Sequence, residues 1–233
     1  MAVIQPMTFL QLCNKLIEKC GISGTPLSST ANQSGEMARV VGWINEAYLN
    51  IQEMSDTWDW LAKDVTFPTV AGQASYTLAQ IGLADYAEWD QHSFRVYFNT
   101  PGQRSEVFLE WLDWPNYRDT YQYGNLRFTT GMPLHISKRP EDQALMLGLT
   151  PSDVGFTVVG RYFSAPQAFS ADGDTPAFPA RFHMAIVYLA MQSYGKYEAA
   201  PEVLQEGLDQ FKPMIKRLMK DQLQPITVGS PML

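Results

Sequence analysis

Apolar residues recur along the first fifty residues at the three- and four-residue spacing of helices that bury one face. Phe9, Leu12, Cys13, Leu16, Ile17 and Cys20 form one such stripe. It predicts a helix from Phe9 to Lys19, capped by Thr8 and stopped by Gly21. Gly21 to Gly35 is rich in Ser, Thr, Gly and Asn and reads as a loop. Met37, Val40, Val41, Ile44, Ala47, Tyr48, Ile51 and Met54 form a second stripe, on a helix from about Glu36 to Asp56; Glu36, Arg39, Asn45 and Glu46 lie on its polar face. The period then falls to two. Trp60 to Pro68 and Ala74 to Leu78 read as two strands, with Val70 to Gln73 at the turn between them. Further strands are expected at Phe94 to Phe98, Val107 to Trp111, Leu134 to Ser137, Ala144 to Leu149 and Phe156 to Phe163. Pro101-Gly102 and Gly131-Met132-Pro133 punctuate them as in an antiparallel sheet. Asp113 to Tyr121, with Pro115 in its first turn, reads as a short helix.

From Pro179 the helical period returns. One helix runs from Pro179 to Tyr197 and is almost wholly apolar between Phe182 and Met191. A second runs from Pro201 to about Gln222, with Leu204, Leu208, Phe211, Ile215 and Leu218 on one face. Pro213 lies inside it, has no amide hydrogen for the carbonyl of Asp209, and should bend it. A membrane-spanning helix needs about 20 mostly apolar residues. Here Arg181 and His183 stand before the apolar run and Lys196 after it, so a buried helix is expected. The expected fold class is α+β: a helical bundle from residues 1–58 and 175–222, a β-rich antiparallel insertion over 59–174, and an extended C-terminal tail over 223–233. Ile186 and Leu189 are expected in the bundle core.

Composition narrows the partners. Of 233 residues, 45% are hydrophobic, enough for a substantial core. The formal charge is −7, and no basic block exceeds Lys138-Arg139. Tight binding to duplex nucleic acid needs clustered cations that displace counterions, so it is not expected. Cys13 and Cys20, seven residues apart, would stand about 10.5 Å from each other along a helix. That is beyond the reach of a disulfide, and both read as buried small apolar groups. The N-terminal stretch has no basic start and no long apolar run, so a signal peptide is not expected.

Candidate chemistry is sparse. His92, His135 and His183 show no metal-ligand spacing with each other or with the cysteines. There is no phosphate loop and no nucleophile elbow. Asp172-Gly173-Asp174 resembles a fragment of a calcium loop but lacks the closing Glu, and reads as a turn. Carboxylates such as Glu106, Glu110 and Asp113 are scattered rather than paired. No catalytic residue, cofactor or metal is expected. Trp58, Trp60, Trp89, Trp111, Trp114, Tyr117, Tyr121 and Tyr123 crowd in or near the β region. Exposed together, they would suit a carbohydrate- or receptor-binding virion module. The favoured expectation is burial, with Trp60 and Trp111 in the core. Leu223 to Leu233 carries no charged side chain, and Pro225, Gly229 and Pro231 exclude a helix. Leu223, Ile226, Val228, Met232 and Leu233 would let it dock, extended, on a partner. A frayed end is the other reading.

The order of motifs resembles a known family. A helical pair ends in Trp58-Asp59-Trp60. Phe67-Pro-Thr-Val-Ala-Gly-Gln-Ala-Ser-Tyr-Thr-Leu78 comes next, then Leu147-Gly-Leu-Thr-Pro151 and Tyr162-Phe-Ser-Ala-Pro166. Thr175-Pro-Ala-Phe-Pro179 then leads into a long helix. Together they resemble the head-to-tail adaptor, or connector, proteins of tailed bacteriophages. The resemblance implies a non-enzymatic virion protein, made in the host cytoplasm and placed at the head–tail junction. It implies a homo-oligomeric ring, commonly of twelve copies, beneath the portal protein. The ring would join the portal to tail or neck proteins and let DNA pass without binding it tightly; no membrane is involved. It places portal docking on Leu223, Pro225, Ile226, Val228, Met232 and Leu233.

Overall fold

The computed structural model describes residues 5–152 and 155–223. In chain order the elements are α1 (Phe9–Cys20), α2 (Gly35–Gln52), β1 (Ala62–Pro68), β2 (Ser75–Tyr76), α3 (Leu78–Ile81), β3 (Tyr86–Trp89), β4 (Arg95–Phe98), β5 (Val107–Phe108), β6 (Glu110–Trp111), α4 (Trp114–Tyr117), β7 (Thr130–Gly131), β8 (His135–Lys138), β9 (Leu145–Gly148), β10 (Thr150–Pro151), β11 (Phe156–Ser164), α5 (Met184–Tyr197) and α6 (Pro201–Gln222). The fold is α+β. The chain divides into two compact units, Met1–Leu61 with Pro166–Leu233, and Ala62–Ala165.

In the helical unit, α1 starts where its sequence signals. The Thr8 hydroxyl accepts from the Gln11 amide, and the Gln11 side chain accepts from the Thr8 amide. Two more first-turn amides are met from far along the chain: Phe9 N–H donates to the carbonyl of Asp174 (2.7 Å) and Leu10 N–H to that of Asp172 (3.2 Å). Asp172-Gly173-Asp174 is thus a turn that caps α1. Its carboxylates serve the turn and the neighbouring loop. Asp172 Oδ1 accepts from the Thr30 amide (2.6 Å), and Asp174 Oδ2 from the amides of Ser170 (2.7 Å) and Ala171 (2.8 Å). The Thr30 hydroxyl and amide hold the Asp172 carboxyl below the usual carboxylate range, and the amides do the same for Asp174.

α2 grips the returning segment. Asn45 Oδ1 accepts from the Phe169 amide (2.8 Å), and its Nδ2 donates to the Phe169 carbonyl (3.3 Å). Two turns on, Gln52 does the same for the Gln167 amide and carbonyl (3.2 and 3.0 Å). Between them the Tyr48 hydroxyl accepts from the Ala177 amide (3.1 Å), and its ring stacks on Phe169 at 4.2 Å; Phe169 stacks in turn on Phe9 at 4.8 Å. The helix stops at Gln52, short of the expected Asp56. The Trp58 indole N–H reaches the terminal carbonyls of Ile51 (3.2 Å) and Gln52 (3.0 Å) and closes the end. Met54, expected in the apolar stripe, lies past that end and is 39% exposed.

The apolar helix is α5, and it packs against α1, α2 and α6. Ala185, Ile186, Val187, Ala190 and Met191 are fully buried. Leu189, expected beside them, is only half-buried; its neighbours on the helix, not Leu189 itself, fill the core. Pro179 does not open the helix: it is extended (φ −56°, ψ 135°) and leads into a separate 3-10 turn, Ala180–Phe182. α6 approaches α5 closely through Gly207, where a Cβ would stand 2.9 Å from the Tyr188 carbonyl. Cys13 is buried and Cys20 half-buried, both as free thiols that burial pushes up to about 12. His183, 1% exposed, accepts at Nδ1 from the Met7 amide (3.0 Å) and donates from Nε2 to the Phe178 carbonyl (3.0 Å).

The β unit holds a five-stranded sheet ordered β1-β11-β4-β5, with β3 also on β11, and a four-stranded sheet ordered β2-β9-β8-β6. Pairing is antiparallel except for the short parallel contacts β6–β8 and β7–β10. β1 and β2 do not form the expected hairpin. β1 pairs with β11 along its whole length, from Ala62↔Phe163 to Pro68↔Thr157, whereas the two-residue β2 pairs with β9. β11 alternates buried and half-buried residues from Phe156 to Ser164, and its long register outcompetes a short local one. Phe67, Tyr76, Trp89, Phe94, Ile136, Leu147, Phe156 and Val158 belong to one core.

Two outcomes are expected of the helical unit. Ile186→Ala should cost about 2–5 kcal/mol in urea denaturation, and Leu189→Ala clearly less, since its cavity opens to solvent. For His183, burial pushes the pKa below 6.5. The unfolded chain therefore binds this proton first as pH falls. The stability it contributes is complete above about pH 6.5 and is lost as pH falls through the interval down to the folded value. His183→Asn should flatten that part of the stability profile measured by denaturant midpoints.

Candidate interaction surface

The segment from Asp113 to Leu134 begins as a firmly anchored foot. Asp113 precedes α4 as its N-cap and Pro115 sits in the first turn. Tyr117 is buried, its hydroxyl donating to the Leu147 carbonyl at 2.9 Å, and its ring lies against Trp114 and Tyr121. A π-helical turn, Arg118–Gln122, then carries Tyr121 over Gly148, where a side chain would overlap the tyrosine ring. The Tyr121 hydroxyl and His135 Nδ1 share a hydrogen bond of 2.5 Å, and His135 Nε2 lies 3.3 Å from Glu110 Oε2.

That line of tyrosine, histidine and glutamate has the order of a proton relay. Burial, with Glu110 adding to it, pushes the Tyr121 hydroxyl up. The contacts tie the foot of the loop to the strands beneath it.

Beyond the foot, every residue from Tyr123 to Thr130 is exposed. Tyr123 is 60%, Leu126 43% and Phe128 81% exposed. Arg118 lies over the Tyr123 ring at 6.0 Å and Arg127 over the Phe128 ring at 5.7 Å. A cleft of about 370 Å³ opens beside them, lined by Tyr117, Tyr121, Leu126, Arg127, Met146 and Leu147. Exposed aromatics beside guanidinium groups are the composition of protein-binding hot spots.

The residues singled out in the sequence are dispersed. None of the six tryptophans is exposed. Trp58 and Trp89 are the fully buried ones, while Trp60 and Trp111, expected to fill the core, are half-buried. Among the eight aromatic residues noted in or near the β region, Tyr123 alone is exposed. Glu106 faces Arg95 (3.4 Å), Glu110 faces His135, and Asp113 accepts from Asn116 (3.0 Å). Among the described residues no group of three or more His, Cys, Asp or Glu side chains could hold a metal ion. No described helix is long and apolar enough to cross a membrane. Of the tail residues, Leu223 ends α6, its amide donating to the Met219 carbonyl at 2.9 Å; Pro225, Ile226, Val228, Met232 and Leu233 lie outside the described residues. Tyr123 stands among the aromatics noted in the sequence, but Leu126, Arg127 and Phe128 escape that reading because the apolar residues of the run keep neither helical nor strand period. That lack of period beside Gly124 and Asn125 is itself the signal.

The division between foot and tip is measurable by thermal or urea denaturation. Tyr123→Ser and Phe128→Ser should leave stability within about 0.5 kcal/mol of the parent chain. Tyr117→Phe should cost about 1–3 kcal/mol, since the Leu147 carbonyl loses a buried partner.

No curated protein matches the chain. A protein-family model, described as SU10 adaptor protein, matches residues 7–231, which take in both units. The chain belongs to the SU10 adaptor protein family, the phage head-to-tail adaptor kinship to which its motifs point.

Proposed function

We propose that the protein adds beneath the portal of a tailed phage as a ring of about twelve copies, the number that the family resemblance implies, and joins the portal to tail or neck proteins. The observation that carries this reading is the family match over residues 7–231. In this reading the helical part, residues 1–58 and 175–222, is a bundle that forms the body of the ring. The insertion, residues 59–174, faces tail or neck proteins. The extended tail, residues 223–233, reaches the portal through Leu223, Pro225, Ile226, Val228, Met232 and Leu233. The role is structural, without catalysis, cofactor or metal, and its place is the virion.

The charge suits a passage. A net charge of −7 on each copy, repeated around a ring, repels phosphate and lets DNA slide without tight binding. The uncharged tail suits docking. Ordering it costs about 1–2 kcal/mol per residue of backbone, which the portal surface must offset.

The test pairs the full chain with one ended after Gln222. Mixed with portal rings, the full chain should shift the portal peak in mass photometry and co-sediment with it. The shortened chain should melt at the same temperature and co-sediment less. No shift of the portal peak by the full chain would sink the adaptor reading. Undiminished co-sedimentation of the shortened chain would remove the tail from the docking site.

A further inference from the structure

Two exposed surfaces of this chain are complementary, and each lacks a partner within its own unit. The first is the Tyr123–Phe128 tip, whose Leu126 and Phe128 are exposed and whose Arg127 has no ion pair among the described residues. The second is the turn after α2. Glu53, Asp56 and Asp59 are all exposed there, have no ion pair among the described residues, and have no basic residue among them. Met54 stands exposed in their midst, since Trp58 closes the helix before it. One surface is aromatic with a guanidinium that lies on a ring but has no ion pair among the described residues, and the other offers a methionine flanked in sequence by three carboxylates. Methionine sulfur packs well against aromatic rings, and opposite charges at the rim steer and register such a contact.

We propose that the Tyr123–Phe128 tip of one copy docks on the Glu53–Asp59 turn of a second copy. The two surfaces are different, so the contact is head-to-tail, the kind that repeats and closes into a ring when the rotation allows. This specifies the contact between copies within the ring reading above, and it rests on that reading for its biological setting. The contact itself is a property of the chain alone.

Charge exchange tests it. Sedimentation velocity of the full chain over a rising concentration series should show self-association. Arg127→Glu, and the double variant Glu53→Lys, Asp56→Arg that turns the net charge of the turn positive, should each weaken it about tenfold or more, because each sets like charges against each other within its own kind. An equimolar mixture of the two variants should recover parental association, since every tip then meets a turn of opposite charge on the other variant. Phe128→Ser should weaken association while leaving the melting temperature unchanged. The proposal is overturned if the parent chain stays monomeric throughout, if either charge variant associates like the parent, or if the mixture gains nothing. It is also overturned if Arg127→Glu loses capture by portal rings or by a tail protein while self-association persists, which would assign the tip to that partner. Portal co-sedimentation, run in parallel, separates the two readings. Self-association that tracks the charge exchange without any binding to portal would refute the adaptor role and leave the contact standing.

Discussion

The helical unit is built from two stretches of chain separated by about a hundred residues, and α2 is where they are fastened. Asn45 and Gln52 each present an amide that donates and accepts, and each takes both backbone groups of one residue in the returning segment. Tyr48, between them, adds a hydroxyl for Ala177 and a ring for Phe169. Backbone groups of Gln167, Phe169 and Ala177, in a segment with no regular structure, are thereby paired with a helix, and Phe169 is buried among them. The residues after Phe169 depend on this fastening. The Asp172-Gly173-Asp174 turn caps α1, Phe178 meets His183, and α5 enters the core on a fixed path.

Such fastening explains how the sequence of a helical unit tolerates interruption by that of a β unit. Within that unit its first and last strands pair antiparallel, with Ala62 beside Phe163, so the chain enters and leaves at neighbouring points. The insertion needs only to keep its ends together. The helical unit needs only to capture the returning end, and three side chains of one helix do so.

Much of this was legible in the residues. The Thr8 cap, the stripe of α1, the apolar α5 and the long alternating β11 come from periods that solvent exposure imposes on any helix or strand. The failures have physical causes. Asn45 reads as a solvent-facing residue because a polar side chain on a helix usually is one; here it faces backbone that only tertiary folding supplies. The end of α2 lies four residues early because a tryptophan six positions on caps it. β1 and β2 read as a hairpin from proximity, but pairing obeys the longer register with β11. Leu189 looks like core by composition, whereas its place on α5 leaves it half-buried. The exposed Tyr123–Phe128 run has no period to read, since nothing in its own unit covers it.

The fastening by α2 is read directly by native-state hydrogen exchange at the amides of Gln167 and Phe169, two groups in a segment without helix or strand. In the parent chain both should exchange as slowly as the core amides of α5. In an Asn45→Ala, Gln52→Ala double variant both should exchange markedly faster than those α5 amides. Rapid exchange at Gln167 and Phe169 in the parent chain would show that the returning segment is not held by α2, and would contradict the account.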